Sequence, residues 1–158
     1  LAKLYFVEPN LRYKTIFKET FENPNIEGCL FKKSNDVCAS CIILGDFVYD
    51  VEGDDCENPN GEFIEIKNIC DFDCNLDEWQ ISDESRKKYE FNNIKLSQNS
   101  ILRLHSGEGN DFLSVNPTLY WYKDTKDKCP VIWNNDFDTV YLRDANSLLI
   151  FKKSYSEF

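Results

Sequence analysis

The sequence predicts a mainly β fold, a Greek-key sandwich of immunoglobulin type carrying an N-terminal strand–helix segment. Two observations predict it. From Ile42 onward, eight short apolar segments alternate with polar turns over about 115 residues, the rhythm of an antiparallel sandwich. Several of them also alternate residue by residue, with Phe63, Glu65 and Lys67 set against Ile64 and Ile66, and Ile101, Arg103 and His105 against Leu102 and Leu104. A period of two puts one set inward and the other outward on a half-buried strand. Small β-barrels share this spacing and stay open as an alternative.

The elements follow in chain order. Ala2–Val7 is apolar and β-prone, and Pro9-Asn10 breaks it. Tyr13, Ile16, Phe17 and Phe21 then form one apolar stripe of a helix, which Asn23-Pro24 ends because proline disfavours helix at the residue before it. Residues 1–33 are therefore read as a strand–helix segment and 34–41 as a cysteine-containing linker. Residues 42–158 are read as the sandwich. Its expected strands are Ile42–Tyr49, Glu62–Asn68, Glu78–Ser82, Lys87–Phe91, Ile101–His105, Thr118–Tyr122, Thr139–Arg143 and Ser147–Phe151. Asn60-Gly61, Ser106-Gly107 and Asp144–Ser147 carry turn residues. Trp79, Trp121 and Trp133 are the large aromatics expected in the core.

Composition narrows the function. The 158 residues are 42% hydrophobic and 15% aromatic, which excludes a largely disordered chain. No apolar run approaches the ~18 residues of a membrane span. The net charge is −10, yet residues 1–33 hold six Lys/Arg against four Asp/Glu, so the acidity resides in the remainder. A polyphosphate gains affinity from cations that displace its counterions, so nucleic-acid binding by the bulk of the chain is disfavoured. Methionine is absent, so the chain is read as the remainder of a longer or processed polypeptide.

Three motifs are candidates for chemistry. Asp50, Glu52, Asp54, Asp55 and Glu57 surround Gly53 with hard oxygen ligands for Ca²⁺, but their spacing is not that of an EF-hand, and a solvated acidic loop is the simpler reading. His105 is the sole histidine, with no nucleophile near it in sequence, so a structural role is expected. Arg86-Lys87-Lys88 reads as a solvated turn.

The segment Phe63–Ser85 (FIEIKNICDFDCNLDEWQISDES) resembles the lamin-tail domain, an Ig-like sandwich of nuclear lamins and of many bacterial and archaeal secreted or nuclease-linked proteins. The resemblance continues through Ser100–Gly107, Leu119-Tyr120-Trp121, the turn Trp133-Asn134-Asn135-Asp136 and Thr139–Asp144, covering about residues 42–156. It brings no catalytic residues and no cofactor onto this chain. Residues 1–33, from LAKLYFVEPNLRYKTIF to Ile26–Phe31, resemble the last strand, helix and exit segment of a staphylococcal-type thermonuclease domain, with Phe31 where that family usually has Trp. Such nucleases hold calcium with carboxylates and stabilise the transition state with arginines, all from strands upstream of this segment. The resemblance therefore implies calcium in a nuclease parent and none here.

Seven cysteines stand at Cys29, Cys38, Cys41, Cys56, Cys70, Cys74 and Cys129, all disulfide candidates; an odd number leaves at least one thiol over. Cys38-Ala39-Ser40-Cys41 and Cys70–Cys74 are two close pairs of the kind a zinc site uses, so Cys38, Cys41, Cys70 and Cys74 form the alternative ligand set. The CxxC runs straight into a β-prone segment, which argues against a redox motif at a helix N-terminus. Disulfides are preferred, because lamin-tail domains of this type are often extracytoplasmic and because Cys56 and Cys70 flank one strand as a local staple.

The leading expectation is a non-catalytic accessory module at the C-terminus of a thermonuclease-like, calcium-dependent nuclease. It would contact a protein partner, or itself, through loops or edge strands, and nucleic acid only through the parent. The alternative is a secreted, self-associating surface or matrix component. An extracellular or cell-surface location suits both.

Overall fold

The computed structural model describes residues 34–156; the expected N-terminal strand–helix segment and Cys29 lie outside the described residues. Among the described residues there are ten strands: β1 (Ile42–Val48), β2 (Phe63–Asn68), β3 (Cys74–Asn75), β4 (Gln80–Ser82), β5 (Lys88–Glu90), β6 (Lys95–Leu96), β7 (Ile101–Glu108), β8 (Thr118–Tyr122), β9 (Phe137–Arg143) and β10 (Leu149–Ser156). The first sheet has the order β1-β2-β7-β8, the second β10-β9-β4-β5, and β3 pairs with β6 as a separate ribbon. This is the mainly β, Ig-like sandwich that the alternating pattern predicts.

Register explains why the pattern works. Ile64 faces Leu104 and Ile66 faces Leu102 across β2 and β7, and all four are buried. In the second sheet Ile81 pairs with Leu142, again buried against buried. Each such side chain contributes about 1.5–3 kcal/mol on leaving water. Trp79 is 1% exposed and belongs to one buried core with Phe91 and Leu119. Trp133 is also buried, whereas Trp121 is only half-buried and packs on the core from its margin.

Several expectations are corrected. Ser106-Gly107 is not a turn but lies within β7. Asn60-Gly61 belongs to a short 3₁₀ turn, Pro59–Gly61, and joins no hairpin. The ribbon β3/β6 has no counterpart among the expected strands. Asp144–Ser147 is a turn as expected, closed by the Ser147 amide donating to the Asp144 carbonyl at 2.8 Å, with the Asp144 carboxylate accepting from the Asn146 and Leu148 amides.

The segment 34–41, expected to be a linker, is a structured cap. Asp36 accepts from the Cys38 amide and starts a 3₁₀ turn over Val37–Ser40, which buries Cys38. Three cystine bridges join Cys38–Cys74, Cys41–Cys70 and Cys56–Cys129. The local staple between Cys56 and Cys70 is thus replaced by long-range bridges. The reason is length: the two cysteines stand beyond opposite ends of β2, and six strand residues span about 20 Å, while a bridge needs Cα atoms within about 7 Å.

Strand β8 runs parallel to β7, so the connection must return the length of the strand. It does so along the outer edge of β8. The Gly109 amide donates to the Tyr122 carbonyl, the Tyr120 amide to the Asp111 carboxylate, and Phe112 and Thr118 exchange both backbone hydrogen bonds. Gly109 permits this approach, since a Cβ there would stand 2.5 Å from the Tyr120 ring. The edge of β8 is thereby covered.

Candidate functional site

The outer face of the second sheet is assembled by strand parity. Because Ile81, Val140 and Leu142 point inward, Gln80, Ser82, Tyr141 and Arg143 point outward. Ser82 is paired with both Lys88 and Tyr141, and Tyr141 with Lys152, so one rung crosses all four strands. The next rung sets Arg143 beside Gln80. The Arg143 guanidinium lies 4.9 Å from the centre of the Tyr141 ring, and Lys152 Nζ lies 5.5 Å from it. Arg143 also donates to the Ser82 hydroxyl at 3.3 Å.

A shallow cleft of about 470 Å³ opens on this face, lined in part by Gln80, Ser82, Arg86, Lys88, Tyr141 and Arg143. Asp83 and Glu84 line it as well, and Glu90 stands beside Gln80, each carboxylate held by hydrogen bonds from neutral donors. Asp83 accepts from Ser85 and the Lys87 amide, Glu84 from Thr139, and Glu90 from Gln80. Among the described residues, Arg86, Lys88, Arg143 and Lys152 form no ion pair. Four cations without a salt-bridge partner thus share this face with three carboxylates whose hydrogen bonds come from neutral donors. The chemistry they offer is anion binding, with Arg143 able to take a carboxylate by two parallel hydrogen bonds.

The sequence reading placed only Arg86-Lys87-Lys88 here and took it for a solvated turn. Lys87 does turn away, donating to the Val131 carbonyl at 3.0 Å. Arg143 and Lys152 were missed because they join the cluster through sheet pairing alone. The readable signal was the outward parity of Arg143, one residue after the inward Leu142.

The six bridged cysteines divide into two sites. Cys56–Cys129 ties the acidic loop to the segment before β9. The other four meet at one end of the sandwich, where Cys70 Sγ lies 3.3 Å from Cys74 Sγ although the two belong to different bridges. The sulfurs of Cys38, Cys70 and Cys74 all lie within 4.8 Å of one another, and all three residues are buried. Three of the four alternative zinc ligands thus lie together, with Cys41 bonded to one of them, and all four are closed here by disulfides.

The acidic loop does not converge on a point. Asp54 accepts from the Cys56 amide, while Asp55 accepts from the Val51 amide and from Asn135. The bonds from the Cys56 and Val51 amides are turn-forming, and the one from Asn135 ties the loop to the segment before β9. One carboxylate that the sequence reading did not single out is more unusual. Glu62 is fully buried at the start of β2, and its Oε2 accepts from the Ile132 and Trp133 amides at 3.2 and 3.5 Å. Burial raises its pKa; the neighbouring Ser106 hydroxyl and the two amides oppose that less strongly, and Asp55 adds to it. Its Oε1 is buried without a hydrogen bond of normal geometry. His105 Nδ1–H donates to the Asn60 carbonyl at 2.7 Å, and the ring stacks on Tyr120. Burial, helped by Arg103, holds its pKa below the ordinary value, and the bond to Asn60 opposes them.

Among the described residues no helix is long and apolar enough to cross a membrane. A family model described as the lamin tail domain matches residues 41–156. No curated protein matches the chain.

Proposed function

The chain belongs to the lamin-tail domain family, and from that premise we propose that it is a non-catalytic binding module. Its contact surface is the outer face of the second sheet, and its partner presents a short acidic polypeptide segment. One observation carries this reading: Arg86, Lys88, Arg143 and Lys152 share a face with no carboxylate paired to them. Carboxylates of a partner would pair with these cations, while Tyr141 offers a flat apolar floor. A long polyphosphate is less suited, since it would extend from the cleft towards the other acids of a chain whose net charge is −10.

Edge pairing is the weaker route to a partner. The edge of β8 is covered by Gly109–Phe112, and β10 carries exposed Lys152 and Lys153, which discourage strand addition. The wider role is that of an accessory domain to a thermonuclease-like, calcium-dependent nuclease, supported by the resemblance of residues 1–33 to the end of such a domain. Three disulfides favour an oxidising setting, hence an extracellular or cell-surface location.

The test is fluorescence anisotropy of the full chain with a labelled glutamate-rich peptide and, separately, a labelled DNA duplex. The peptide is expected to bind with an affinity that falls as salt rises, and Lys88→Glu/Arg143→Glu/Lys152→Glu to lose at least about tenfold, or 1.4 kcal/mol. Peptide affinity unchanged in that variant, or a duplex bound more tightly than the peptide, overturns the assignment. The nuclease role is tested by the intact mass of the native polypeptide. A mass well above 18.6 kDa, together with calcium-dependent DNA cleavage, is the expected result.

A further inference from the structure

We propose that disulfides and zinc are two states of one four-sulfur nest. Cys38, Cys41, Cys70 and Cys74 are bridged when oxidised and, once reduced, hold a single Zn²⁺ in tetrahedral thiolate coordination. This inference is independent of the binding face and of the nuclease.

Geometry supports it first. A zinc–sulfur distance of about 2.3 Å in a tetrahedron requires sulfurs about 3.8 Å apart. Cys70 and Cys74 are 3.3 Å apart without being bonded to each other, and Cys38 lies within 4.8 Å of both. Cys41 is bonded to Cys70 but lies outside that 4.8 Å group, so its thiol has to swing inward to complete the tetrahedron. Opening each bridge from about 2 Å to the zinc spacing is a side-chain movement of under 2 Å. Cys38, Cys70 and Cys74 are only 3%, 4% and 0% exposed, the burial expected of a structural zinc site, while Cys41 stands half-buried at its margin.

Scaffolding supports it second, because the backbone that presents the sulfurs does not depend on the bridges. Cys41 immediately precedes β1, whose first residue Ile42 pairs with Asn68, and the Ile69 amide donates to the Cys41 carbonyl at 2.9 Å. Buried Asn68 then fixes the second pair. Its Oδ1 accepts from the Cys70 amide, and its Nδ2 donates to the carbonyls of Phe72, Leu96 and Ser97. Cys74 itself is paired with Leu96 in the ribbon. Asp36 caps the turn that carries Cys38, and the Cys41 amide closes that turn on the Cys38 carbonyl. Reduction therefore leaves three buried thiols close together with the Cys41 thiol beside them.

The chemistry balances. Each bridge takes two electrons and two protons from a dithiol reductant, which becomes a cyclic disulfide, so two equivalents yield four thiols. One Zn²⁺ then displaces four protons and forms four zinc–sulfur bonds, leaving a site of charge −2.

The experiment reduces the full chain with excess dithiol, exchanges it anaerobically into Zn²⁺ or Co²⁺, and reads native mass and absorption. One metal per chain is expected, with thiolate-to-cobalt charge-transfer bands and the visible bands of tetrahedral Co²⁺. Cys29→Ser/Cys56→Ser/Cys129→Ser retains only the nest cysteines and is expected to keep that metal. Cys38→Ser/Cys41→Ser is expected to lose it. A reduced chain that holds no metal at micromolar zinc overturns the proposal, whether it stays folded or unfolds. So does equal retention by the Cys38→Ser/Cys41→Ser variant.

Discussion

Glu62→Gln is expected to leave the domain at least as stable as the parent at pH 7, whereas Glu62→Ala is expected to destabilise it. Glu62 is fully buried and its pKa is raised, chiefly by burial. A raised carboxyl pKa means that the folded state binds its proton more tightly than the unfolded chain does. The group's contribution to stability is therefore complete below the unfolded value of about 4.3 and is lost as pH rises through the raised folded value. Glutamine imitates the protonated form at every pH. It keeps a carbonyl oxygen for the Ile132 and Trp133 amides and brings an NH₂ to the side where Oε1 has no partner. The gain of the Gln variant over the parent should therefore grow from pH 4.5 upward and level off. Alanine strips the acceptor from two buried amides, at about 1–3 kcal/mol for the Ile132 amide and less for the longer bond to Trp133. The assay is urea unfolding of parent, Gln and Ala variants between pH 4.5 and 8, with the bridges intact. If Gln costs more than ~1 kcal/mol at pH 7, the negative charge itself is needed and the account fails.

The tryptophans should separate by depth. Trp79→Ala is expected to cost about 3–5 kcal/mol as a core truncation. Trp121→Ala should cost about 1–2 kcal/mol, through its ring contacts with Trp133 and Tyr89; equal losses in denaturant melts would contradict the marginal place of Trp121. Cys56→Ser/Cys129→Ser opens a bridge between residues 73 apart in sequence, for which chain entropy gives about 4 kcal/mol. Non-reducing melts that show no loss would mean that this bridge constrains nothing the fold does not already hold.

How much of this was legible depended on whether the signal was local. Ile64, Ile66, Leu102 and Leu104 could be assigned to inner faces because alternation within one strand decides their direction. The ribbon of Cys74-Asn75 with Lys95-Leu96 could not, since two-residue strands carry no period and Asn68 holds that region from a third element. The Ser106-Gly107 pair looked like a turn because glycine so often makes one. Gly107 instead sits in β7 with no room for a side chain, since a Cβ there would meet Asn60 at 2.5 Å. Cysteine pairing was hidden because it depends on which strand ends meet, which spacing along the chain does not encode.

Charge gave the most instructive difference. Net charge sets the field at long range, and here it repels polyanions. Fields from exposed charges fade over about 8 Å at physiological salt, so a ligand docked in a cleft feels only the nearest groups. At the face of β10-β9-β4-β5 those groups are the cations Arg86, Lys88, Arg143 and Lys152 and the carboxylates Asp83, Glu84 and Glu90, the last three fixed in place by hydrogen bonds while no cation there is ion-paired. Approach and docking therefore select differently. A duplex, extended and uniformly charged, is opposed by the chain's net charge and reaches past the cleft; a short acidic segment is opposed less on approach and can place all its carboxylates within reach of the four cations. Raising salt should therefore weaken the peptide complex, because the contact term it screens is attractive, and should weaken the repulsion of DNA at the same time. Opposite salt responses of the two ligands are what this arrangement of charge requires.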